Sequence, residues 1–292
     1  MRALVSSYKL ISPATLDEAL QILTRERDVW KPFAGGTDLM VLLEAGKLPH
    51  RNYVNIWNLK ELRGMEVTDQ HVTIGALTTY TEVQQEKVLQ QEFPMLCQAA
   101  SETGGLAIQN RGTLGGNIVN ASPAADSPPA LLAYDAELEL VSLNGARWVP
   151  YYGFHTGYKQ MIIRPDELLT RIRLPRVSES VQHYYRKVGT RKAQAISKVC
   201  FAGTARLRDE KIEDLRLALG SIAPVPLRCV KTEGSLRGNQ LNQTTIARAR
   251  AVLADEIVPI DDIRSTSNYR HQVSLNLLQD FLHSLGLKFG VN

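Results

Sequence analysis

Cysteine is scarce. The 292 residues contain three, Cys97, Cys200 and Cys229, whose separations fit neither a zinc nor an iron–sulfur spacing. A disulfide scaffold is excluded, and reduced thiols in a cytoplasmic protein are expected. Long apolar runs are missing too: none approaches the roughly 20 residues that span a bilayer. Met1 to Ile11 has no apolar core followed by a small-residue cleavage site, so secretion is not expected. Nor does charge of one sign dominate. Lys and Arg number 34 against 30 Asp and Glu, a net +4 with no basic stripe, which gives a nucleic-acid partner little support. The six histidines are scattered, with no two at metal-ligand spacing on one helix. No serine or cysteine nucleophile stands with a base, and there is no internal repeat.

What is present is mixed patterning. Leu16, Ala19, Leu20 and Leu23 recur at helical spacing over Leu16–Arg25. Strands are predicted at Trp30–Phe33, 53–56 and His71–Gly75, and the apolar stretch 39–45 predicts a buried helix stopped by Gly46. A helix is expected over 80–91 and another from 95 to 101, with a glycine-rich loop over 104–120. Two alternating segments, 137–142 and 147–150, flank Asn144-Gly145 and predict a hairpin with a type I′ turn. Alternation returns over 168–174, followed by a polar linker at 176–181. Strand-like segments at 184–188, 198–207 and 215–221 precede helical patterns at 244–253 and 269–285. The strands cluster and do not alternate with crossover helices, which is the α+β class. The chain is long for one core, and boundaries are expected near 57 and 178, giving units 1–57, 58–177 and 178–292.

Three segments have the composition of a binding site. Ala34-Gly35-Gly36-Thr37-Asp38-Leu39 leaves a strand and enters a helix. Its glycines let backbone N–H groups approach a phosphate, and the competing reading is a tight turn with a helix cap. Arg111-Gly112-Thr113-Leu114-Gly115-Gly116-Asn117 is a second such stretch, with a structural loop as the alternative. Ser122-Pro123-Ala124-Ala125-Asp126 offers one rigid carboxylate, suited either to a ribose or to capping the helix that starts near Pro128. Two glycine cradles and one such acid suit a dinucleotide with a pyrophosphate, held without a Gly-x-Gly-x-x-Gly turn.

In order and spacing, 34–39, 112–117, 122–126 and the run from Arg216 to Arg228 resemble the FAD-binding medium subunit of the molybdenum hydroxylases. That family includes xanthine, carbon monoxide and aldehyde or N-heterocycle dehydrogenases, and the resemblance covers nearly the whole chain. It implies a two-lobed FAD-binding domain of the vanillyl-alcohol-oxidase/MurB (PCMH) type, followed by a small C-terminal α+β domain of the CO dehydrogenase flavoprotein type. It further implies that Pro32, Phe33, Ala34, Gly35, Gly36, Thr37, Asp38 and Leu39 form one FAD contact stretch, and Thr113, Gly116 and Asn117 a second. Asp126 matches an acid near the adenosine part, Leu169 a residue against the flavin, and Lys187 a lysine that contacts FAD. By itself a strand-end lysine such as Lys187 would be expected in solvent. Tyr184 and Tyr185 could lie near the flavin or simply pack, and His155 could lie near it or be structural.

As partners the resemblance implies a large chain with the molybdenum cofactor and a small chain with [2Fe–2S] clusters, and as acceptor NAD or another oxidant. Two departures bear on this. Many relatives carry Gln-Ile-Arg-Asn where this chain has Ala107-Ile108-Gln109-Asn110, and an acid near the NAD site of animal relatives is Gln194 here. Competing functions are a self-sufficient flavin oxidase or reductase of the same fold, and a scaffold that has lost FAD.

Overall fold

Thr15 starts the first helix by accepting the Glu18 N–H at 3.2 Å, and Ala19, Leu20 and Leu23 then fall on one buried face. The computed structural model describes residues 7–177, 179–191 and 195–289. The first sheet unit runs β1 (Lys9–Ile11), α1 (Leu16–Arg25), β2 (Trp30–Phe33), α2 (Leu39–Glu44) and β3 (Asn52–Asn55). Its strands pair in parallel in the order β1-β3-β2. The expected burial of the helix at 39–45 is not found. No residue of α2 is buried, and Met40 and Val41 are 52% and 64% exposed. An unbroken apolar run has no polar face to orient it, so apolarity alone did not predict burial here.

The second unit begins with β4 (Met65–Val67) and β5 (His71–Gly75). Six helices follow: α3 (Tyr80–Gln85), α4 (Lys87–Glu92), α5 (Pro94–Glu102), α6 (Leu106–Gln109), α7 (Leu114–Val119) and α8 (Ser127–Ala133). Then come β6 (Glu137–Ser142), β7 (Gly145–Pro150), β8 (His155–Gly157), β9 (Gln160–Met161) and β10 (Leu168–Pro175). Five of these strands form an antiparallel sheet, β4-β5-β10-β6-β7. Three expectations are corrected here. The helix over 80–91 divides at Glu86, whose ψ of 115° is extended. The stretch 104–120 is not simply a loop, because it contains α6 and α7; the Thr113 hydroxyl caps α7 by accepting the Gly116 N–H. The hairpin forms, but Ser142 pairs with Gly145, so Leu143 and Asn144 make the turn. Neither has positive φ, which excludes type I′. The left-handed pair belongs to a different hairpin, at Asp209 and Glu210.

The third unit is an antiparallel sheet of β11 (Gln182–Val188), β12 (Val199–Arg208), β13 (Lys211–Gly220) and β14 (Leu227–Arg228). Helices α9 (Val230–Leu236), α10 (Gln243–Glu256) and α11 (Ser267–Phe289) complete it. One sheet face packs Phe201, Leu217 and Leu219 against Leu253, Leu278 and Phe281 of the helices. The other face sends Tyr185, Cys200, Ala202 and Ala218 into the core of the second unit, beside Ala130 and Leu131 of α8. Polar seams follow the same line. Asp135, at the end of α8, accepts Arg216 at 2.6 Å and Arg228 at 2.5 Å, and Arg228 also pairs with the buried Glu233. The run from Arg216 to Arg228 therefore docks the third unit onto the second.

Asp262 anchors the entry to α11, accepting the Arg264 N–H at 2.8 Å and the buried Arg270 guanidinium at 2.6 Å. Burial works against its charge, but the Arg264 and Arg270 donors prevail and hold the carboxyl at about 2. A depressed carboxyl adds stability above its unfolded value of 3.8, and this is lost as pH falls toward about 2. Thermal melts taken down this pH range should show an acid slope that Asp262→Asn flattens. An Asn variant with the wild-type slope would contradict this assignment.

Candidate functional site

β2 delivers Pro32 and Phe33 into a turn in which residues 32–37 are half-buried, Asp38 is exposed and Leu39 is half-buried. Gly36 takes φ +76° above the Phe33 ring, where a Cβ would come within 2.5 Å of Cζ. Phe33 in turn packs edge-on to Tyr53, so its ring supports the turn from below. The Gly36 carbonyl accepts the Met40 N–H at 2.8 Å and starts α2. Among the described residues, the amide N–H groups of Gly35, Gly36 and Thr37 have no hydrogen-bond partner. Three unpartnered donors in a half-buried turn have the chemistry of an anion site.

The second glycine segment lies directly against the first. A Cβ on Gly35 would stand 1.8 Å from the Arg111 carbonyl oxygen. The Arg111 guanidinium lies 3.8 Å over the Trp57 ring, just beyond β3, and closes the same seam. Within this segment the glycines have different tasks. Gly112 makes room for the Tyr80 ring, and Gly115 abuts the Ala76 carbonyl, 2.8 Å from where a Cβ would sit. The Leu114 and Gly115 N–H groups donate to Thr78 and Ala76 carbonyls at 3.0 and 2.9 Å. The expected second amide cradle is therefore largely committed to docking α7. Gly116 differs: a Cβ there would meet only the Thr113 hydroxyl. Gly115→Ala should cost about 1–3 kcal/mol by overpacking, read as a lowered melting temperature. A wild-type melt would show that Gly115 does not hold α7 against Ala76.

Asp126, Lys187 and a serine not singled out in the sequence meet at a third point. Lys187 Nζ lies 2.7 Å from Asp126 Oδ2, with the two side chains 6% and 9% exposed, and also donates to the Glu102 carbonyl at 2.8 Å. Ser197 Oγ donates to Asp126 Oδ1 at 2.5 Å. Burial pushes the Asp126 carboxyl up, against the opposing pull of Lys187 and the hydroxyl donors. Two simpler readings fall. Lys187 is not solvated, and Asp126 makes no side-chain bond that caps α8. The Asn117 side-chain carbonyl accepts from Ser127 Oγ at 2.6 Å, which ties the second segment to the third.

Leu169 is buried in the core on β10, beside a register shift between Leu169 and Arg171. Tyr184 packs on Phe201 and Phe281, while the Tyr185 hydroxyl donates to the Asp126 carbonyl at 3.1 Å. A ring nitrogen of His155 is 2.9 Å from the Ile118 carbonyl, and burial lowers its pKa. Gln194 lies outside the described residues. Lys159, on which the sequence carries no local signal, lies near the first glycine segment in electrostatic terms. It adopts φ +58°, donates to the Asn120 carbonyl and side chain at 2.5 and 2.8 Å, and sits within electrostatic reach of Asp38. No group of three potential metal ligands occurs among the described residues, and no helix there is long and apolar enough to cross a membrane.

Comparison with known proteins assigns both parts of the chain. Residues 6–177 match the FAD binding domain in molybdopterin dehydrogenase, and residues 183–285 match the CO dehydrogenase flavoprotein C-terminal domain. The xanthine dehydrogenase FAD-binding subunit of Escherichia coli O157:H7 is 36% identical over 268 residues, 91% of this chain and 90% of that one. The carbon monoxide dehydrogenase medium chain of Hydrogenophaga pseudoflava is 25% identical, with 95% and 96% covered. A solved structure of that organism's carbon monoxide dehydrogenase superposes with a TM-score of 0.90 at 25% identity, covering 94% of this chain and 95% of the other.

Proposed function

Because the chain belongs to the FAD-binding subunits of the xanthine and carbon monoxide dehydrogenase type, we propose that it is the electron-transfer subunit of a multi-chain molybdenum hydroxylase. Its partners in this reading are a large chain with the molybdenum cofactor and a small chain with [2Fe–2S] clusters, in the cytoplasm. Electrons arrive from the small chain and leave to NAD⁺ or another acceptor. FAD supplies the redox chemistry when bound, and the residues of this chain bind it, orient it and shield it from water. In this reading 1–57 and 58–177 are the two lobes of the FAD-binding domain, and 178–292 is the C-terminal α+β domain that follows them.

The observation that carries this reading is the set of unpartnered N–H groups at Gly35, Gly36 and Thr37, held against the second glycine segment. Those donors suit the pyrophosphate, with Pro32 to Leu39 as the contact stretch. Gly116 leaves room for close approach, and Thr113 and Asn117 add polar side chains. Asp126 serves the adenosine side, Lys187 contacts FAD, and Leu169 packs on the flavin side. The test is reconstitution of the complex with and without this subunit, assayed by electron delivery to the acceptor. Transfer should collapse without it. Undiminished transfer would overturn the proposal.

A further inference from the structure

Ser197 is fully buried, in the connection between β11 and β12. Its hydroxyl holds one oxygen of the Asp126 carboxylate at 2.5 Å while Lys187 holds the other at 2.7 Å. Its own carbonyl accepts the Ser221 hydroxyl at 3.0 Å. Ser221, in left-handed backbone at φ +68°, donates its N–H to the Pro123 carbonyl at 2.8 Å, in the loop that carries Asp126. The Ser221 carbonyl is taken at 2.6 Å by Arg270, a guanidinium buried on α11. A continuous polar thread therefore runs from α11 through Ser221 and Ser197 to a single carboxylate of the second unit. Ser197, Ser221 and Arg270 all lie far from Asp126 in sequence.

We propose that Ser197 is a positioning residue for FAD that acts through Asp126, so that the C-terminal unit sets the acid's geometry. The proposal rests on reading Asp126 as a cofactor contact. A carboxylate held by one ammonium can still rotate about its terminal torsion. A second donor on the other oxygen fixes its plane and leaves the remaining lone pairs aimed one way. Among the described hydrogen bonds Ser197 reaches Asp126 and no other proposed cofactor contact, so its effect on FAD should vanish when Asp126 no longer carries the carboxylate.

The test is titration of the deflavinated full-length chain with FAD, read by fluorescence, alongside melts of the FAD-free chain. Ser197→Ala should raise the FAD Kd about tenfold, as expected for one lost hydrogen bond to a charged group. Ser197→Thr, which keeps the hydroxyl, should restore most of the affinity. In an Asp126→Asn background the same Ser197→Ala change should weaken binding by less than about twofold, because the pair no longer couples. Should the alanine variant not fold, Ser197→Cys keeps the shape with a weaker donor and should still weaken binding several-fold. Wild-type affinity in the folded variant, or an undiminished loss in the Asn background, overturns the role of Ser197 alone. A wild-type chain that takes up no FAD overturns the cofactor reading and this proposal together.

Discussion

Gly35→Ala is expected to abolish FAD retention and to lower the melting temperature together. The added methyl group would lie 1.8 Å from the Arg111 carbonyl oxygen and 2.7 Å from its carbon, and both are backbone atoms. A flexible side chain could swing aside, but a carbonyl in the seam between two segments cannot. Relief requires the two segments to part, which moves the N–H groups of Gly35, Gly36 and Thr37 from their place against Arg111 and Gly112. Overpacking of this kind costs about 1–3 kcal/mol, enough to shift the melt of a chain this size by several degrees. Gly116→Val is the contrast, since its side chain would point at the Thr113 hydroxyl and otherwise into open space. It should lose FAD with a smaller change in melting. Flavin absorbance per chain and thermal melts of both variants check the pair. Wild-type flavin content in Gly35→Ala would show that the seam is not part of the cofactor site.

Lys187→Met should be the most destabilising single change at the third point of the site. It removes the ammonium from a carboxylate whose side chain is 9% exposed, and stranding one member of a buried pair costs about 3–5 kcal/mol. The deficit should depend on pH in a definite direction. Without Lys187 the carboxyl's folded pKa rises further above its unfolded value. The folded chain is then penalised most at neutral pH, and the penalty shrinks as pH falls and the carboxyl takes up a proton. Lys187→Met combined with Asp126→Asn should recover much of the loss, since no buried charge is left alone. Denaturant midpoints of the single and double variants across pH measure this. A deficit that is flat with pH and unrelieved in the double variant would mean the pair is not the source of the instability.

The parts of this molecule written in local pattern were legible without the structure. α1, β2 and β5 begin and end where the sequence pattern put them, and in α1 and β5 one clearly apolar face is buried. The glycine segments were legible as binding elements, but not their division of labour. Nothing within 112–117 says that Gly115 meets Ala76 and Gly116 does not; that depends on how α7 lands on the end of β5. Helix α7 was hidden by glycine content, which lowers helix propensity until the Thr113 cap and the docked N-terminus offset it, and α6 by its length of only four residues. Asp126 was noticed as an isolated acid, yet its burial comes from Lys187 and Ser197, 61 and 71 residues away. Lys159 reaches Asn120 across 39 residues and carries no local mark at all.

The most direct measurement is the identity and amount of nucleotide released from the natively purified full-length chain, together with its visible spectrum. Equimolar FAD with a flavin spectrum is the expected result, and Gly35→Ala prepared in parallel should release almost none. A colourless wild-type chain that also fails to take up added FAD, or one that releases FMN in its place, would contradict the cofactor site described here.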